Sequence, residues 1–315
     1  MCSQILIITP FQPCNLGGAE TFASELVKAT GKCHSAFLVA YRGKIGVWRG
    51  LPFGKAAFIA PVLFFRGLSA CLGRKINTIC AIGLIAATAG IFLKAIFRTR
   101  LLIIPLALYD FKDRPFFSRI AGWVLRQADI IFVESNISRA DLLHTGIDLD
   151  KTKLFTHWVD QEKFFPIEHT NPHLKVLFVG RPIREKGKHI IQEVENELPE
   201  VDFEYVENVK YEDLPKYYQM ADVLVVPSLY NESPNRVVAE GASCGCVIIA
   251  SDKGALPEQV GGFGIITEPT PDYFKYHIAI LASDRKKLKL FREITIRYAR
   301  EHFTERNAQT IVREF

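Results

Sequence analysis

The sequence lacks the features that would indicate a secreted, disulfide-bonded or metal-binding protein. Its seven cysteines are an odd number, and no two of them have a spacing typical of a disulfide framework. No group of histidines and cysteines has the spacing of metal ligands. We therefore expect reduced thiols, a cytoplasmic protein and no metal site.

We also expect no signal peptide, because the N-terminus has no basic region and the apolar run 5–8 is too short. Residues 78–97 contain Lys94 as their only charge and are long enough to cross a bilayer. Gly83 and Gly90 interrupt this segment, and a buried strand followed by a buried helix and another strand explains the pattern equally well. We expect the second arrangement.

Acidic residues are scarce in the first part of the chain. Residues 1–126 carry 16 Lys and Arg against 4 Asp and Glu, a net charge of +12, whereas the whole chain has +5. This asymmetry predicts an anionic partner, although a solvated basic face would look the same. No motif of a nucleic-acid-binding fold is present, so we expect an anionic membrane surface and no nucleic acid. The apolar stretch 56–72, which contains Arg66, is compatible with an interfacial helix.

Apolar segments alternate with helical patterns along the whole chain, and we find no internal repeat. Such alternation predicts parallel strands joined by crossover helices. In the first half we predict strands at 4–9, 35–40, 101–108, 130–133 and 153–155, with helices after Gly18 and near 116–127 and 137–145. In the second half we predict strands at 175–179, 201–206, 222–226, 246–250 and 263–267, and helices at 187–198, 213–220 and 235–244.

The segment 164–172, with two prolines, a histidine and an asparagine, is typical of a linker, and the tail after Pro271 is mostly helical by pattern. The predicted architecture is therefore α/β, with two Rossmann-like domains. The carboxyl ends of both sheets are expected to face each other across a cleft, where ligands bind to such folds.

Two glutamates stand eight positions apart after the predicted strand 222–226. Glu232 precedes a helix that we expect to start near Pro234, and Glu240 would face outward about two turns later. A helix N-terminus attracts anions such as a diphosphate, and a carboxylate on either side could hold hydroxyl groups. The pattern therefore suits a nucleotide sugar, although a helix with an acidic start is the simpler explanation.

Two further features point to an anionic ligand. Gly17 and Gly18 lie between the first strand and the first helix, where a backbone without side chains can approach a phosphate, although a tight turn needs the same residues. Arg181 follows a strand, and Lys186 opens the next helix. These two cations could neutralise the charge of a diphosphate, although a basic turn exposed to solvent would show the same sequence pattern.

The order of these motifs resembles the retaining GT-B glycosyltransferases of family 4. The resemblance is strong in the second half of the chain and patchy in the first. The matching segments are Gly17-Gly18-Ala19-Glu20, Val159-Asp160 with Phe164-Phe165-Pro166, Gly180-Arg181 with Glu185-Lys186-Gly187, Ala221-Asp222 with Pro227-Ser228, 232–240 and 251–258. The resemblance implies an N-terminal acceptor-binding domain over 1–165, a nucleotide-sugar-binding domain over 172–303 and a final helix, 304–315, that crosses back to the first domain.

By this resemblance, the catalytic residues are Arg181 and Lys186, which hold the diphosphate, and Glu232, which contacts the transferred sugar. Gly17 and Gly18 would approach the phosphate from the first domain.

The resemblance also implies roles for the residues around the second glutamate. Glu240 would hold the ribose hydroxyls, and the amides of Asn235, Arg236 and Val237 would face the sugar or the phosphate. The stretch around Val209 would flank the base. No cofactor is implied, since the nucleotide sugar is a substrate.

The implied reaction is transfer of a hexose, with retention and without a metal, to a glycan or lipid-linked acceptor in polysaccharide or glycolipid biosynthesis. We expect it at the cytoplasmic face of a membrane. One alternative is a catalytically lapsed GT-B subunit that acts as a binding partner, and another is an epimerase on the same fold.

The chain departs from the family pattern in its first half. A histidine that usually follows the strand predicted at 101–108 is absent, and Tyr109 or Asp110 could take a polar role there. His157 and Trp158 replace the usual Asn-Gly before Val159. His157 could line the cleft, or it could be packed in the linker.

Overall fold

A computed structural model describes residues 3–11, 17–41, 53–106 and 115–315. The chain divides into two compact units. The first contains Met1–Phe155 together with Ala308–Phe315, and the second contains Thr156–Asn307. The limits of the domains that the resemblance implies stay predictions.

The first unit is built on a six-stranded parallel sheet in the order β2-β1-β3-β4-β5-β6. The strands are buried apolar runs, as parallel strands covered on both faces require. Their bounds are β1 Gln4–Thr9, β2 Ser35–Ala40, β3 Thr78–Ile82, β4 Arg100–Ile104, β5 Ile130–Val133 and β6 Thr152–Leu154. The helices are α1 Gly18–Gly31, α2 Phe53–Cys71, α3 Leu84–Phe97, α4 Pro115–Arg126, α5 Asn136–Asp141 and, from the end of the chain, α12 Gln309–Val312.

The helices α2, α3 and α4 form one layer on one face of this sheet. Each precedes a strand that lies further along the sheet in the same direction, so right-handed crossovers place all three on the same side. Leu63 of α2, Leu93 of α3 and Leu125 of α4 share one hydrophobic core with Leu6 and Ile79 of the strands. The opposite sides of these helices point away from the sheet.

The apolar segment 78–97 is a strand, a tight connection and a helix, as the second sequence interpretation predicted. Gly83 makes the connection with φ +86, and its amide donates to the carbonyl of Ile104 at 2.7 Å. Within the parts of the chain that the structure describes, we find no helix with the length and apolarity needed to cross a bilayer.

The second unit is built on a five-stranded parallel sheet in the order β11-β10-β9-β7-β8. Its strands are β7 Leu174–Val179, β8 Val201–Val206, β9 Val223–Val226, β10 Val247–Ser251 and β11 Ile265–Thr267. Its helices are α6 Lys188–Glu197, α7 Leu214–Met220, α8 Arg236–Cys244, α9 Leu256–Val260, α10 Pro271–Ser283 and α11 Arg285–His302.

The side chains of the central strand β9 contribute to the hydrophobic cores on both faces of this sheet. Leu224 and Val226 belong to one hydrophobic core, and Val223 and Val225 belong to the other. This alternation is the period of two expected of a strand. The first core contains residues of α7, α8 and α9, and the second contains residues of α6 and α10.

The predicted α/β architecture with two Rossmann-like sheets is thus confirmed. The short helix α9 is absent from the sequence prediction. The predicted strand 101–108 ends at Ile104, and its last two residues lie outside the described part of the chain.

Candidate functional site

The carboxylate of Glu232 lies in the loop after β9 and is almost fully buried, with 6% of the residue exposed. Its Oε1 accepts hydrogen bonds from Lys186 Nζ at 2.5 Å and from Ser228 Oγ at 2.6 Å. Its Oε2 accepts from the hydroxyl of Tyr230 at 2.7 Å. A buried carboxylate is costly unless it is paired and hydrogen-bonded, and these three donors meet that requirement.

Backbone contacts hold the turn that carries Lys186 against the loop after β9. Gly187 has φ +75, and a Cβ added there would lie 1.9 Å from the carbonyl oxygen of Pro227. The amide of Leu229 donates to the carbonyl of Glu185 at 2.8 Å. Only glycine allows both this conformation and this approach, so the position of Lys186 beside Glu232 depends on it.

A second glycine fixes Glu232 from the loop after β10. Gly254 has φ +58, and a Cβ there would lie 2.2 Å from the carbonyl oxygen of Glu232. The amide of Ala255 donates to that same oxygen at 2.7 Å. Glu232 is therefore held at its backbone as well as at its carboxylate.

Tyr230 connects the cations of the site to Glu232. Burial, together with the charge of Glu232 and the hydrogen bond to it, raises the pKa of the Tyr230 phenol well above its ordinary value. The charge of the nearby Arg181 opposes part of that rise in pKa. Lys186 Nζ lies 5.3 Å from the centroid of the Tyr230 ring. The structure therefore brings Arg181, Lys186 and Glu232 into one cluster.

The two hydroxyl donors of this cluster are absent from the sequence prediction. Ser228 and Tyr230 lie in the same short loop as Glu232, just after a strand end. Their position at the carboxyl edge of a parallel sheet is the signal that could have indicated them.

Helix α8 begins at Arg236, and Asn235 is its N-cap. The side chain of Asn235 accepts a hydrogen bond from the amide of Val237 at 3.1 Å. The amide of Asn235 donates to Gln259 Oε1 at 2.7 Å, and Gln259 Nε2 donates back to the carbonyl of Asn235 at 3.0 Å. The amides of Asn235 and Val237, which the resemblance directs at a ligand, thus donate within the chain here.

The side chain of Glu240, on α8, is buried against the rest of the unit rather than directed into solvent. The residue is 3% exposed, and its Oε2 accepts from the hydroxyl of Tyr218 at 3.0 Å. Its Oε1 lies 3.5 Å from Arg236 Nε, and Arg236 is itself 6% exposed. The expectation of an outward-facing Glu240 is wrong, because α8 packs against α7, α11 and the neighbouring strands.

The two residues that replace the usual family pair are both buried. The carbonyl of Trp158 accepts a hydrogen bond from Arg236 Nη1 at 3.3 Å. The carbonyl of His157 accepts from Asn307 Nδ2 at 3.2 Å, and His157 is 4% exposed. The structure therefore supports the interpretation of His157 as a packed histidine.

The remaining predicted residues lie in three places. Val209 follows β8, is half-buried and packs on the core of the second unit. Gly17 and Gly18 are exposed at the start of α1 in the first unit. The carboxylate of Glu20 lies over Gly17, so that a Cβ on Gly17 would be 2.3 Å from Glu20 Oε2.

Tyr109 and Asp110 lie outside the described residues. Among the described residues, no group of three or more His, Cys, Asp or Glu side chains is arranged to hold a metal ion.

Comparison with known proteins assigns the second unit to a family. Residues 160–302 match the model of the family "Glycosyl transferases group 1". The second unit therefore contains a glycosyl transferases group 1 domain. An O-antigen chain mannosyltransferase B from Escherichia coli is 37% identical over 75 residues, which are 24% of this chain and 19% of that protein. The chain spans between 19% and 44% of the length of the curated relatives it matches.

Solved structures show the fold of the whole chain. A sucrose-phosphate synthase from Thermosynechococcus elongatus has a TM-score of 0.83 at 18% identity, covering 99% of this chain and 98% of that one. The Anabaena HepE protein in complex with UDP-glucose has a TM-score of 0.75 at 16% identity, covering 98% of each chain. The two sheets are thus those of the GT-B fold.

Proposed function

We propose that this chain is a glycosyltransferase that moves a hexose from a nucleoside-diphosphate sugar to a glycan or lipid-linked acceptor. The observation that carries the proposal is the cluster of Arg181, Lys186 and Glu232 at the carboxyl edge of the second sheet. It lies within a glycosyl transferases group 1 domain. The UDP-glucose complex of HepE makes a uridine nucleotide sugar the first donor to test.

The cations serve the leaving group. As the bond between the anomeric carbon and the diphosphate breaks, negative charge grows on the diphosphate oxygen. The side chain of Lys186 is 14% exposed and is hydrogen-bonded to Glu232, so the protein positions it before the charge develops. Arg181 is exposed and lies near Tyr230. Cations fixed in advance stabilise a transition state more effectively than solvent does. On this account the reaction needs no metal, and the two cations take that role.

Glu232 serves the transferred sugar. A carboxylate offers about four acceptor positions, and Glu232 uses three of them for Lys186, Ser228 and Tyr230. The fourth can accept a sugar hydroxyl. Because the other three contacts fix the carboxylate, the hydroxyl would meet an oriented acceptor rather than a mobile one.

Glu240 serves the ribose in the same way. Tyr218 and Arg236 hold the carboxylate of Glu240 beside α8. A ribose hydroxyl would meet this carboxylate at the 3% of the residue that is exposed. Val209 would lie beside the base.

The reaction keeps the configuration of the sugar. The acceptor oxygen forms its bond to the anomeric carbon on the face from which the diphosphate departs, and the acceptor proton passes to the leaving diphosphate. No enzyme nucleophile takes part. A chelator should therefore leave the rate unchanged, whereas an absolute requirement for Mg²⁺ would contradict this mechanism.

The test is release of nucleoside diphosphate from UDP-, GDP- and ADP-hexoses, with water and short oligosaccharides as acceptors. One donor should be consumed, and Glu232→Gln should lower the rate by about 100-fold, as loss of one transition-state contact does. Glu204→Gln, which removes a carboxylate paired with Lys175 at 2.8 Å elsewhere in the unit, should leave the rate unchanged. A lapsed subunit would give no release, or the same slow release from wild type and Glu232→Gln.

The stereochemistry is read from the same reaction. Proton NMR during the first turnovers should show a product with the anomeric configuration of the donor. An initial product of opposite configuration would refute retention.

A further inference from the structure

We propose that the outer face of α2 and α3 in the first unit docks on the surface of an anionic lipid bilayer. This face is formed by Phe58, Phe65 and Leu72 from α2 and the turn after it, with Phe92 and Ile96 from α3. We call it the lipid-docking face. The proposal stands independently of the donor site, which lies in the second unit.

One apolar stripe runs along α2. Phe58, Phe65 and Leu72 are each seven positions apart, which is about two helical turns, so they lie on one side. Their exposed fractions are 63%, 65% and 63%. The opposite side of the helix fills the core through Ile59 and Leu63. The stripe is therefore additional to what folding of the unit requires.

The stripe continues onto α3 without a gap. The ring of Phe64 lies 5.3 Å from that of Phe65 and 6.1 Å from that of Phe92, measured between centroids. The helices approach closely, since a Cβ on Gly67 would lie 2.6 Å from Leu93 Cδ1.

The exposed part of α3 belongs to the same surface. Phe92 is 57% exposed and Ile96, one turn later, is 54% exposed. Contiguous exposed apolar surface of this kind marks an interaction site.

The charge of this part of the chain selects the partner. Residues 26–109 contain no Asp or Glu at all. Arg74 and Lys75 are exposed just after α2, and Arg98 is exposed just after α3. The two turns lead into the amino ends of the adjacent parallel strands β3 and β4, so these cations lie at the same end of the layer as Leu72 and Ile96 and form a basic rim. The guanidinium of Arg74 lies 4.9 Å from the centroid of the Phe37 ring. From outside residues 26–109, Asp129 pairs with Lys94 of α3 at 2.8 Å, so that cation is already neutralised. Aromatic and aliphatic side chains bordered by Lys and Arg are the composition that binds anionic lipid surfaces.

The backbone conformation of Arg98 is one in which glycine is favoured, so the choice of arginine there needs an explanation. Arg98 ends α3 in the left-handed conformation with φ 54, where glycine is favoured. An arginine there gives up that preference and places a cation at the rim.

Helix α4 also exposes aromatic and basic side chains together on one side. Phe116, Arg119 and Trp123 are exposed at spacings of three and four on one side of the helix. Because α4 lies next to α3 in the same layer, it extends the lipid-docking face in that direction.

The experiment is co-sedimentation with vesicles of phosphatidylcholine alone and with one-third phosphatidylglycerol, at low and high salt. Wild type should bind the anionic vesicles at low salt and lose binding at high salt, where surface charges are screened. Phe65→Gln with Phe92→Gln should weaken binding by about tenfold or more, because two aromatic rings no longer enter the interface. Arg98→Gly should weaken it by about fivefold while the fold is kept, since glycine suits that φ.

Matched controls come from the second unit. Tyr273→Gln with Tyr276→Gln changes two aromatics that are 50% and 60% exposed, and Lys289→Gln removes one exposed cation. Neither should change vesicle binding. Binding of a nucleotide donor should be the same in all variants.

Three results would overturn the proposal. The first is absence of wild-type binding to anionic vesicles at low salt. The second is equal binding by wild type and the Phe65 and Phe92 variant. The third is sedimentation velocity that shows concentration-dependent self-association abolished by the same variant, which would assign the face to a second copy of the chain.

Discussion

Lys186 Nζ lies 2.5 Å from Glu232 Oε1, and this pair joins the turn after β7 to the loop after β9. Both side chains are largely withdrawn from solvent, with 14% and 8% of their surface exposed. A buried pair of this kind contributes little net stability, because desolvation offsets the attraction. Its value on our account lies in function: it places one cation and one carboxylate at a fixed separation.

Arg181→Ala should lower turnover more than donor affinity, because charge grows on the leaving diphosphate only as the reaction proceeds. We expect kcat to fall by about 100-fold, with the dissociation constant of the donor rising much less. Arg184→Ala removes an exposed arginine from the same turn and should change neither quantity. Equal losses in kcat and affinity for Arg181→Ala would contradict the assigned role.

Tyr230→Phe removes one hydrogen-bond donor from the buried Glu232. Loss of one such hydrogen bond should cost about 1–3 kcal/mol of unfolding free energy, and kcat/KM should fall. Tyr205→Phe removes a comparable bond, from a phenol to Glu195 Oε2 at 2.9 Å, on the surface of the same unit. That control should keep full kcat/KM. A Tyr230→Phe enzyme with unchanged kcat/KM would show that Glu232 needs no such support.

Gly187→Ala tests the contact that fixes Lys186. Gly187 and Gly73 both have φ +75, but a Cβ on Gly73 meets no atom within 4 Å. Gly73→Ala should therefore cost only the backbone strain, about 1 kcal/mol. Gly187→Ala must also displace the carbonyl of Pro227 and should cost at least about 2 kcal/mol more. Urea unfolding measures both, and equal costs would mean that the approach to Pro227 is easily relaxed.

Because Tyr218 is buried, we expect the folded protein to lose stability at alkaline pH. Complete burial, and then the charge of Glu240, raise the pKa of the Tyr218 phenol well above its ordinary value. The folded state therefore holds this proton more tightly than the unfolded state. The stabilisation is fully present below the unfolded pKa of about 10 and is lost as the pH rises above it.

Unfolding by urea between pH 9 and 11 measures this effect. The Tyr218→Phe variant should lose stability less steeply with pH than wild type, by up to about 1.4 kcal/mol per pH unit for one proton. Tyr273→Phe, at an exposed position, should follow the wild-type slope. Parallel slopes for wild type and Tyr218→Phe would contradict the shifted pKa.

The fold could be predicted from the sequence because each strand is a short apolar run between helical patterns. The strands Gln4–Thr9, Ser35–Ala40 and Ile130–Val133 have the bounds that the pattern indicates. The helix between β10 and β11 was missed because Leu256–Val260 is too short to show a helical period.

The side-chain arrangement of the site could be predicted only in part. The spacing of Glu232 and Glu240 indicated the loop and the helix that carry them, but the burial of Glu240 depends on α7 and α11, which approach from elsewhere in the sequence. The donors to Glu232 depend on loop conformations that Gly187 and Gly254 permit. Contacts between segments that are distant in the sequence cannot be predicted from a local sequence pattern.

The most direct test of the donor site is thermal unfolding of the chain with UDP, GDP, ADP and their hexose forms. A ligand that binds only the folded state raises Tm, and saturation at 100 times Kd contributes about 2.7 kcal/mol. We predict a clear rise for one nucleoside diphosphate and its sugar. The rise should be lost in Lys186→Met and kept in Lys188→Met, which removes a lysine paired with Glu207 at 3.2 Å. No rise in wild type with any of these ligands, or an equal rise in Lys186→Met, would contradict the account.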